Sequence, residues 1–572
     1  MQGERGVTLI DTIVGTALLL LVFVGVAAAF QLSVDVVTSN KARAGAIALV
    51  DERMEYIRSL PYTSLGTVGG IPSGSIPQNE SVTLNGVTYN RRTFIEYFDD
   101  TKDGSGGGDA NGVQADSKAA KVDVSWNSRT GVRHIIAVTR VSPATGLESA
   151  VSGGTLTIFV VDSTGASLSN AQITIVNATT SVNLTTYSNA SGTATLIGTP
   201  AGAGYQITVT KSGYSTAQTY FASAQNTNPN PGNLTVSNSQ TTSATFAIDV
   251  LGSKTVQSWS PVQSGTWTDP FADNSNVATS TNITIAGGVA KIAGSAPYGS
   301  GEVQSTSISP SYLSKWKQLS WTSSAPAGTS ILYRVYDVNG GSLIPEAQLP
   351  GNAAGFTSSP IDLTSISTST YQGLRIDATL SGSSSATPSI DAWNVNYDYG
   401  PTPLPNIALT MTGAKTIGTG PSGAVYKYSQ TINTGASASV TVPNLEWDAY
   451  TLAVASSSSA YDIASACGPQ PESLAPGAAM TTALYLLAHT ANSLLVDVRA
   501  SATGNLIPGA SVTLSRTGFS SALTSDNCGQ AFFSGLIAST YTIVVSAPGY
   551  VTYTGTNAVT VSGTTRYSVT LN

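Results

Sequence analysis

The sequence predicts a mainly β protein with one long N-terminal α-helix, in which an α+β domain is followed by several antiparallel β-sandwich domains. The 572 residues exceed what one hydrophobic core usually organises. Short period-two strands separated by glycine-bearing turns recur after the helix. Charged residues make up only 10% of the chain, against roughly 25% in average soluble domains. The polar surface must therefore come from serine, threonine, asparagine, glutamine and glycine, which is typical of extracellular β-proteins.

The composition excludes several function classes. A net charge of −7 provides no basic surface for nucleic acid. The chain has two histidines, His134 and His489, two cysteines and four methionines, and it lacks a phosphate loop, paired metal-binding histidines and a CxxC motif. We therefore expect that the protein is not an enzyme.

The first element is a helix over 7–60 whose N-terminal half is transmembrane. Residues 12–34 carry no charge and span roughly 35 Å as a helix, which matches a hydrocarbon core of about 30 Å. Pro61 ends the helix because proline removes a backbone donor. Apolar residues at three- and four-residue spacing indicate that the second half is amphipathic: Ala46, Val50, Met54 and Ile57.

Two simpler interpretations of this segment compete. A secretory signal peptide would use Arg5 as its basic end and a small-residue cleavage site near 27–29. A single-span anchor would need only the apolar run. Neither interpretation explains Asp11, whose carboxylate is costly in lipid and should have a partner. Neither predicts the amphipathic second half.

Arg5 and Gly6 are followed by the run VTLID, which ends at Asp11. This pattern resembles the class III signal of type IV pilins and type II secretion pseudopilins. The resemblance implies that prepilin peptidase removes a leader, residues 1–6, by cutting after Gly6, and that the new amine of Val7 is methylated. Asp11 stands where the family usually has Glu, one methylene longer. The resemblance implies that this carboxylate assists filament assembly by pairing with the amine of a neighbouring subunit.

The next segment, 61–142, is predicted to be a pilin-type β-domain, with a hairpin turn at Asn85-Gly86. The loop between Phe98 and Val122 is rich in acidic residues and glycine. Its oxygen ligands suit Ca²⁺, and some pseudopilins hold calcium in such a loop, although the spacing does not match an EF-hand. The alternative is a solvated acidic turn. The candidate calcium ligands are Asp99, Asp100, Asp103, Asp109 and Asp116.

Two later segments, 150–252 and 491–572, are copies of one another. Matching strand and turn blocks follow at intervals that agree within two residues, which predicts small antiparallel sandwiches. The copies resemble carboxypeptidase regulatory-like (transthyretin-type) and Cna-B-type modules of bacterial surface proteins. Some Cna-B modules carry Lys–Asn isopeptide bonds, but no lysine follows Lys427, so the C-terminal copy cannot form one. A degenerate third copy is predicted at 405–490.

Residues 253–400 carry a different, tryptophan-containing strand pattern that predicts a jelly-roll or lectin-like sandwich. Its tryptophans either stack on sugar rings or, as is more common, anchor the core. The proline-rich segment 400–406 is predicted to be a stiff inter-domain spacer. A second such segment, 226–232, is either another break or a loop inside the first copy.

Cys467 and Cys528 are the only cysteines. The helix exports everything that follows it, so an oxidised pair is allowed, and we predict a disulfide over two free thiols. It would join the 405–490 module to the last module and contribute roughly 4 kcal/mol in the chain-entropy model.

Together these features predict a minor type IV pilin or pseudopilin-like filament subunit. The roughly 430 residues after 142 would crowd a helical shaft, which favours a tip or sparse position. The β-sandwich modules would serve adhesion or surface interaction with a glycan or protein. The expected partners are other pilin subunits, prepilin peptidase and the inner or cytoplasmic membrane, which the chain crosses once before joining an extracellular filament. The alternative is a membrane-anchored cell-surface carbohydrate-binding or hydrolase-accessory protein that never enters a filament.

Overall fold

The computed structural model describes residues 9–99, 114–129, 131–144, 149–339, 341–468 and 470–572. It is mainly β with one long N-terminal helix and several antiparallel sandwiches, as predicted. Helix α1 spans Leu9–Ser59, and a 3₁₀ turn, Tyr62–Ser64, follows it. The helix ends ahead of Pro61, in agreement with the sequence.

The second half of α1 packs on a four-stranded antiparallel sheet, and together they form the head. The four predicted amphipathic positions are buried against this sheet. Tyr89 fixes the packing, because its hydroxyl donates a hydrogen bond of 2.9 Å to the Ala42 carbonyl in α1. Asn85 and Gly86 both have positive φ, as a two-residue hairpin turn requires. The sheet order is β1-β2-β4-β5, and β3 pairs with β6. The strands are β1 (Asn79–Leu84), β2 (Val87–Phe98), β3 (Gln114–Ala115), β4 (Ser117–Ser128), β5 (Gly131–Val141) and β6 (Ser149–Ala150).

The first module is a sandwich of two sheets. One has the order β10-β7-β15, with β7 antiparallel to β10 and parallel to β15. The other has the order β12-β11-β8-β9, and β14 also pairs with β11. The proline-rich segment 226–232 contains β13 and is a loop inside this module, because β15 returns to the first sheet after it. The strands are β7 (Gly154–Val161), β8 (Gln172–Asn177), β9 (Val182–Tyr187), β10 (Thr193–Thr199), β11 (Gly202–Thr210), β12 (Ala217–Gln218), β13 (Asn228–Pro229), β14 (Leu234–Val236) and β15 (Thr241–Ala247).

The inserted sandwich follows strand β16 (Gly252–Ser260) and packs a six-stranded sheet, β19-β20-β26-β22-β24 with β17 on β26, against a four-stranded sheet, β18-β21-β25-β23. Trp316 and Trp393 are fully buried, and Trp321 stacks on Tyr333 with ring centroids 3.9 Å apart. These tryptophans therefore anchor the core and do not present faces for sugars. The strands are β17 (Gln263–Asp269), β18 (Val277–Thr281), β19 (Ile283–Ile285), β20 (Ala290–Ile292), β21 (Ser300–Ser305), β22 (Leu313–Ser324), β23 (Ser330–Asp337), β24 (Ile361–Asp362), β25 (Leu374–Ser381) and β26 (Ser389–Tyr399).

The interrupted module consists of β16 together with the strands that follow the inserted sandwich. One sheet has the order β27-β16-β36-β34 with β32 also on β16, and the other has the order β31-β28-β33-β35. The strands after the insertion are β27 (Thr402–Pro403), β28 (Ala408–Gly413), β29 (Thr416–Gly420), β30 (Gly423–Tyr426), β31 (Ser429–Asn433), β32 (Ser439–Leu445), β33 (Asp448–Val454), β34 (Tyr461–Ala466), β35 (Glu472–Leu474) and β36 (Ala479–Ala488). A 3₁₀ turn, Ser456–Ser458, precedes β34.

The C-terminal module repeats the topology of the first module. Its sheets have the orders β40-β37-β43 and β39-β38-β41-β42, and its first and last strands are again parallel. The strands are β37 (Ser493–Ala500), β38 (Ser511–Arg516), β39 (Phe519–Thr524), β40 (Gln530–Phe533), β41 (Ser539–Ser546), β42 (Tyr553–Val561) and β43 (Thr564–Leu571).

The interrupted module has this topology as well, which corrects two sequence predictions. Its first strand, β16, is antiparallel to β32 and parallel to the last strand, β36. The domain boundary predicted at 253 is therefore wrong, since it assigns β16 to the tryptophan-containing sandwich. The segment 400–406 is not a free spacer, because β27 pairs with the end of β16.

A buried tyrosine recurs in equivalent strands of the three modules that share this topology, β11, β33 and β41. The hydroxyl of Tyr205 donates to the carbonyl of Pro200, five residues earlier. The hydroxyls of Tyr450 and Tyr541 each donate to the carbonyl four residues earlier, at distances of 2.8 and 2.9 Å. Each bond satisfies a buried hydroxyl and fixes the turn that enters the strand. This equivalence supports the third copy that the sequence predicted.

Candidate assembly segment and binding clefts

Residues 12–34 of α1 are exposed, and the helix is long and apolar enough to cross a membrane, a property that anchors and signal sequences share. Its hydroxyls are satisfied within the helix: Thr16 donates to the Thr12 carbonyl at 2.8 Å and Ser33 to the Ala29 carbonyl at 2.9 Å. The segment thus presents a continuous apolar surface with its backbone bonds closed, which suits lipid or a partner helix better than water.

The predicted processing and assembly residues can be placed only in part. Gly6 and Val7 lie outside the described residues. Asp11 lies within α1, but its side chain is not among those described. The leader cleavage and the pairing of the Asp11 carboxylate therefore stay predictions.

A buried charge cluster attaches α1 to the head. The guanidinium of Arg53 lies 2.5 Å from the Glu80 carboxylate, and Arg91 lies 3.0 Å from the same carboxylate and 3.1 Å from Glu52. Arg91 also donates to the Leu49 carbonyl at 3.3 Å. Both arginines are almost fully buried. Because each has charged partners, the cluster fixes the helix on β1 and β2, and losing one partner would leave an uncompensated charge.

The calcium prediction falls mostly outside the described residues. Asp100, Asp103 and Asp109 lie there, while Asp99 and Asp116 flank that segment. Within the described residues no group of three or more histidine, cysteine, aspartate or glutamate side chains could hold a metal ion. Calcium binding stays a prediction for this loop.

An open cleft of about 700 Å³ lies between the head and the first module. Arg92 of β2 spans it, with its guanidinium 4.8 Å from the centre of the Tyr187 ring and a hydrogen bond to the Thr185 carbonyl. Gln78 donates to the Asn183 carbonyl at 2.6 Å. These contacts orient the first module on the head. Both acidic and basic side chains line the cleft. No sequence motif predicted it.

A second cleft, of about 420 Å³, lies between the interrupted and C-terminal modules. The predicted disulfide is present and joins these two modules: Cys467 and Cys528 are bonded, with Cα atoms 4.8 Å apart. Nearby, the Ala466 backbone N–H donates to the Gln530 side chain at 2.6 Å. The two modules are therefore joined by a covalent bond and a buried hydrogen bond.

Both histidines pair with an aspartate, which the sequence did not indicate. His134 Nδ1 lies 2.9 Å from Asp123 on the neighbouring strand, and His489 Nδ1 lies 2.8 Å from Asp462. The second pair is separated by 27 residues. Predicting this pair would have required the register of β34 against β36, and the periodicity of the sequence does not give that register.

A carboxylate pair lies on the outer face of the four-stranded sheet of the inserted sandwich. Asp377 of β25 is only 2% exposed, and burial together with the neighbouring Glu302 raises the pKa of Asp377 to about 7. Burial disfavours the charged form, and the second carboxylate adds repulsion. Folding therefore favours the protonated acid at this position.

This pair predicts that the inserted sandwich loses stability as pH rises. Between the ordinary pKa of aspartate, about 4, and about 7, the folded state keeps a proton that the unfolded chain has released, so the free energy of unfolding falls with rising pH. In the unaltered protein the free energy of unfolding should decrease by at least about 1.4 kcal/mol over this pH range. In Asp377→Asn this decrease should be much smaller. Urea unfolding followed by tryptophan fluorescence measures it, since four of the seven tryptophans lie in this sandwich: Trp267, Trp316, Trp321 and Trp393.

Asp391→Asn is the matched control, because it removes an exposed carboxyl group from the same sandwich. Asp391→Asn should show the same decrease in the free energy of unfolding with rising pH as the unaltered protein. An Asp377→Asn variant with the pH dependence of the unaltered protein would contradict the assignment.

Comparison with known proteins supports the module type. Residues 155–249 and 493–572 match the family model of the carboxypeptidase regulatory-like domain. These segments are the first and C-terminal modules, so the resemblance of the two copies to carboxypeptidase regulatory-like modules is confirmed. The interrupted module shares their topology although its strands lie outside the matched segments. A comparison with curated proteins found no significant match.

Solved structures with detectable similarity include bacterial pilin subunits. The Bacillus anthracis TIE protein is 12% identical, with 86% of this chain and 72% of that chain covered and a TM-score of 0.16. BcpA, the major pilin subunit of Bacillus cereus, is 10% identical, with coverages of 73% and 99% and a TM-score of 0.13. The shaft pilin SpaA from Lactobacillus rhamnosus GG is 12% identical, with coverages of 30% and 90% and a TM-score of 0.12. These scores are too low to support an argument about arrangement or function.

Proposed function

We propose that this protein is a minor type IV pilin or pseudopilin-like filament subunit that displays β-sandwich modules at the cell surface. The observation that carries the proposal is the division of α1. Its first half is apolar and exposed, and its second half is locked onto an antiparallel sheet by the cluster of Arg53, Glu80 and Arg91. A helix divided in this way can leave a membrane and pack among the helices of other subunits while its head stays outside, because only the apolar half needs a new partner.

The modules beyond the head favour a tip or sparse position. Three sandwiches of one topology and an inserted fourth follow the head, and their bulk exceeds that of the sheet on which α1 packs. Repeating this bulk at every position of a tight helical shaft would cause steric overlap. A subunit at the end of the filament avoids this overlap and exposes the modules for adhesion to a surface glycan or protein.

The processing of the N-terminus tests the proposal. Mass spectrometry of the protein purified from its native cell is expected to find a chain that begins at an N-methylated Val7. In the same cells, Asp11→Ala is expected to leave the protein in the membrane fraction and to reduce its recovery in sheared filaments at least about tenfold, because a buried amine would lose its counter-charge.

Asp11→Glu is the control, since it keeps the carboxylate and should assemble normally. A mature chain that begins at Phe30 would indicate secretion by a signal peptide. An intact Met1 would leave only an anchor. Either result would overturn the filament proposal, as would normal filament recovery of Asp11→Ala.

The second candidate function is a membrane-anchored carbohydrate-binding or hydrolase-accessory protein that does not enter a filament. The two clefts between modules favour it, because small ligands bind preferentially at domain interfaces. It differs from the first proposal in expecting an unprocessed N-terminus and no dependence of its localisation on Asp11.

A further inference from the structure

The cleft between the interrupted and C-terminal modules has the size and the lining of a site for a small molecule. Its volume of about 420 Å³ falls in the range of ligand pockets. Val454 and Ile463 are half-buried and contribute apolar surface from one module, while Leu452 of that module and Leu495 of the other lie beneath the surface, each 2% exposed. Leu495 is buried although it lies outside the core of its own module. The cleft is thus a joint surface of two modules.

The cleft is held in place before any ligand arrives. The Cys467–Cys528 disulfide and the hydrogen bond between Ala466 and Gln530 join its two walls. A ligand would therefore not have to order the modules, and its contacts would contribute directly to affinity.

His489 presents a defined hydrogen-bonding atom to this cleft. Its Nδ1 lies 2.8 Å from the Asp462 carboxylate, which is 3% exposed. Asp462 also accepts hydrogen bonds of 3.2 Å from the Thr490 backbone N–H and the Thr564 hydroxyl. An ionised carboxylate only accepts, so Nδ1 must carry the proton. In the neutral imidazole Nε2 is then an acceptor, and the side chain is 44% exposed at the cleft.

Arg566 supplies the charge. It lies two residues after Thr564 on β43, so both side chains project from one face of that strand. In the parallel register it is opposite Leu495, and it lines the cleft. Among the described residues no carboxylate lies within ion-pair distance of its guanidinium. An exposed, unpaired guanidinium beside an apolar cleft can take a carboxylate in a bidentate arrangement.

We propose that this cleft binds a hexuronic acid residue of a surface polysaccharide. Arg566 binds the carboxylate, Nε2 of His489 accepts a hydrogen bond from a ring hydroxyl, and the apolar wall covers one face of the sugar ring. A hydroxy acid fits better than a simple fatty acid because the fixed tautomer needs a hydrogen-bond donor from the ligand. Asp462 acts only through His489 and is a positioning residue. The proposal goes beyond the filament function and does not depend on it.

Calorimetric titration of the full chain in detergent micelles tests the site with glucuronate as the probe. We expect a dissociation constant on the order of 1 mM, as few contacts are made. Glucose, which lacks the carboxylate, and N-acetyl-leucine, which lacks the hydroxyls, should each bind at least about tenfold more weakly. Arg566→Met and His489→Phe should each weaken glucuronate binding about tenfold.

Arg499→Met is the matched control, since Arg499 lies on the neighbouring strand β37 outside the cleft, and it should bind glucuronate like the unaltered protein. Arg566→Lys keeps the charge without the bidentate geometry, so its affinity for glucuronate should lie between those of Arg566→Met and the unaltered protein. Arg566 is exposed, so thermal unfolding of Arg566→Met should be unchanged and confirm that this variant is folded. His489→Phe removes a partner of the buried Asp462 carboxylate and should unfold at a lower temperature, so circular dichroism at the assay temperature confirms that it is folded. Equal binding of glucuronate by Arg566→Met and the unaltered protein, or equal binding of glucose and glucuronate, would overturn the proposal.

Discussion

Replacing Glu472 with alanine is expected to destabilise the interrupted module by about 3–5 kcal/mol, because it leaves a buried ammonium without its counter-charge. Lys254 of β16 is fully buried. Its ammonium forms an ion pair with the Glu472 carboxylate and donates to the Thr482 hydroxyl at 2.6 Å. That hydroxyl in turn donates to Glu472. The three side chains come from β16, β35 and β36, so the group joins both sheets of the module.

Hydrogen exchange read by mass spectrometry measures this loss locally, in peptides that cover β16 and β36, where protection reports the free energy of local opening. The control is Glu55→Gln, which breaks an exposed ion pair with Arg58, 2.8 Å long. Exposed pairs contribute about 0–1 kcal/mol, so little change is expected there.

A double variant separates the charge effect from loss of packing. Lys254→Met combined with Glu472→Leu replaces the pair by apolar groups of similar volume, and such replacements are often neutral or stabilising. It should recover most of the protection that Glu472→Ala loses. Unchanged exchange in Glu472→Ala, or a double variant as weak as the single one, would contradict the account of Lys254 as a buried charge.

The interrupted module was only partly predicted from the sequence because an insertion separates its first strand from the others. The strand pattern at 252–260 is evident from alternation, but alternation does not specify which sheet a strand joins. The chain leaves β16 for the inserted sandwich and returns about 140 residues later to build the remaining strands. The parallel pairing of β16 with β36 thus joins residues more than 220 positions apart. No local rule relates them, whereas each uninterrupted copy keeps its strands at short intervals and was recognised from them.

The candidate sites also differ in how far they could be predicted from the sequence. Apolar spacing predicted the buried face of α1, since the contacts of a helix follow from its period. The disulfide was predicted because only Cys467 and Cys528 were available. The His489–Asp462 pair depends on the register of β34 against β36, and the guanidinium of Arg566 joins it only where two modules pack together, so neither could be predicted. A site at an interface between modules depends on their orientation, which no periodicity records.

Removing the disulfide is expected to destabilise the joined interrupted and C-terminal modules by about 4 kcal/mol. The bond spans 61 residues, and closing a loop of that length lowers the entropy of the unfolded chain by this amount in the chain-entropy model. Denaturant unfolding of Cys467→Ser, compared with the unaltered protein under non-reducing conditions, measures the difference.

The double variant Cys467→Ser/Cys528→Ser is the matched control for this prediction, since it should lose no more stability than the single variant once the bond is gone. The unaltered protein in a reducing buffer should approach both. The cleft adds a second readout: without the covalent joint, the two modules that form its walls are held by packing and by hydrogen bonds such as those of Ala466 with Gln530 and of Thr564 with Asp462. Glucuronate would then have to order the modules as it binds, which weakens its affinity. Variants that unfold at the denaturant concentration of the disulfide-bonded protein would show that module packing alone fixes this joint.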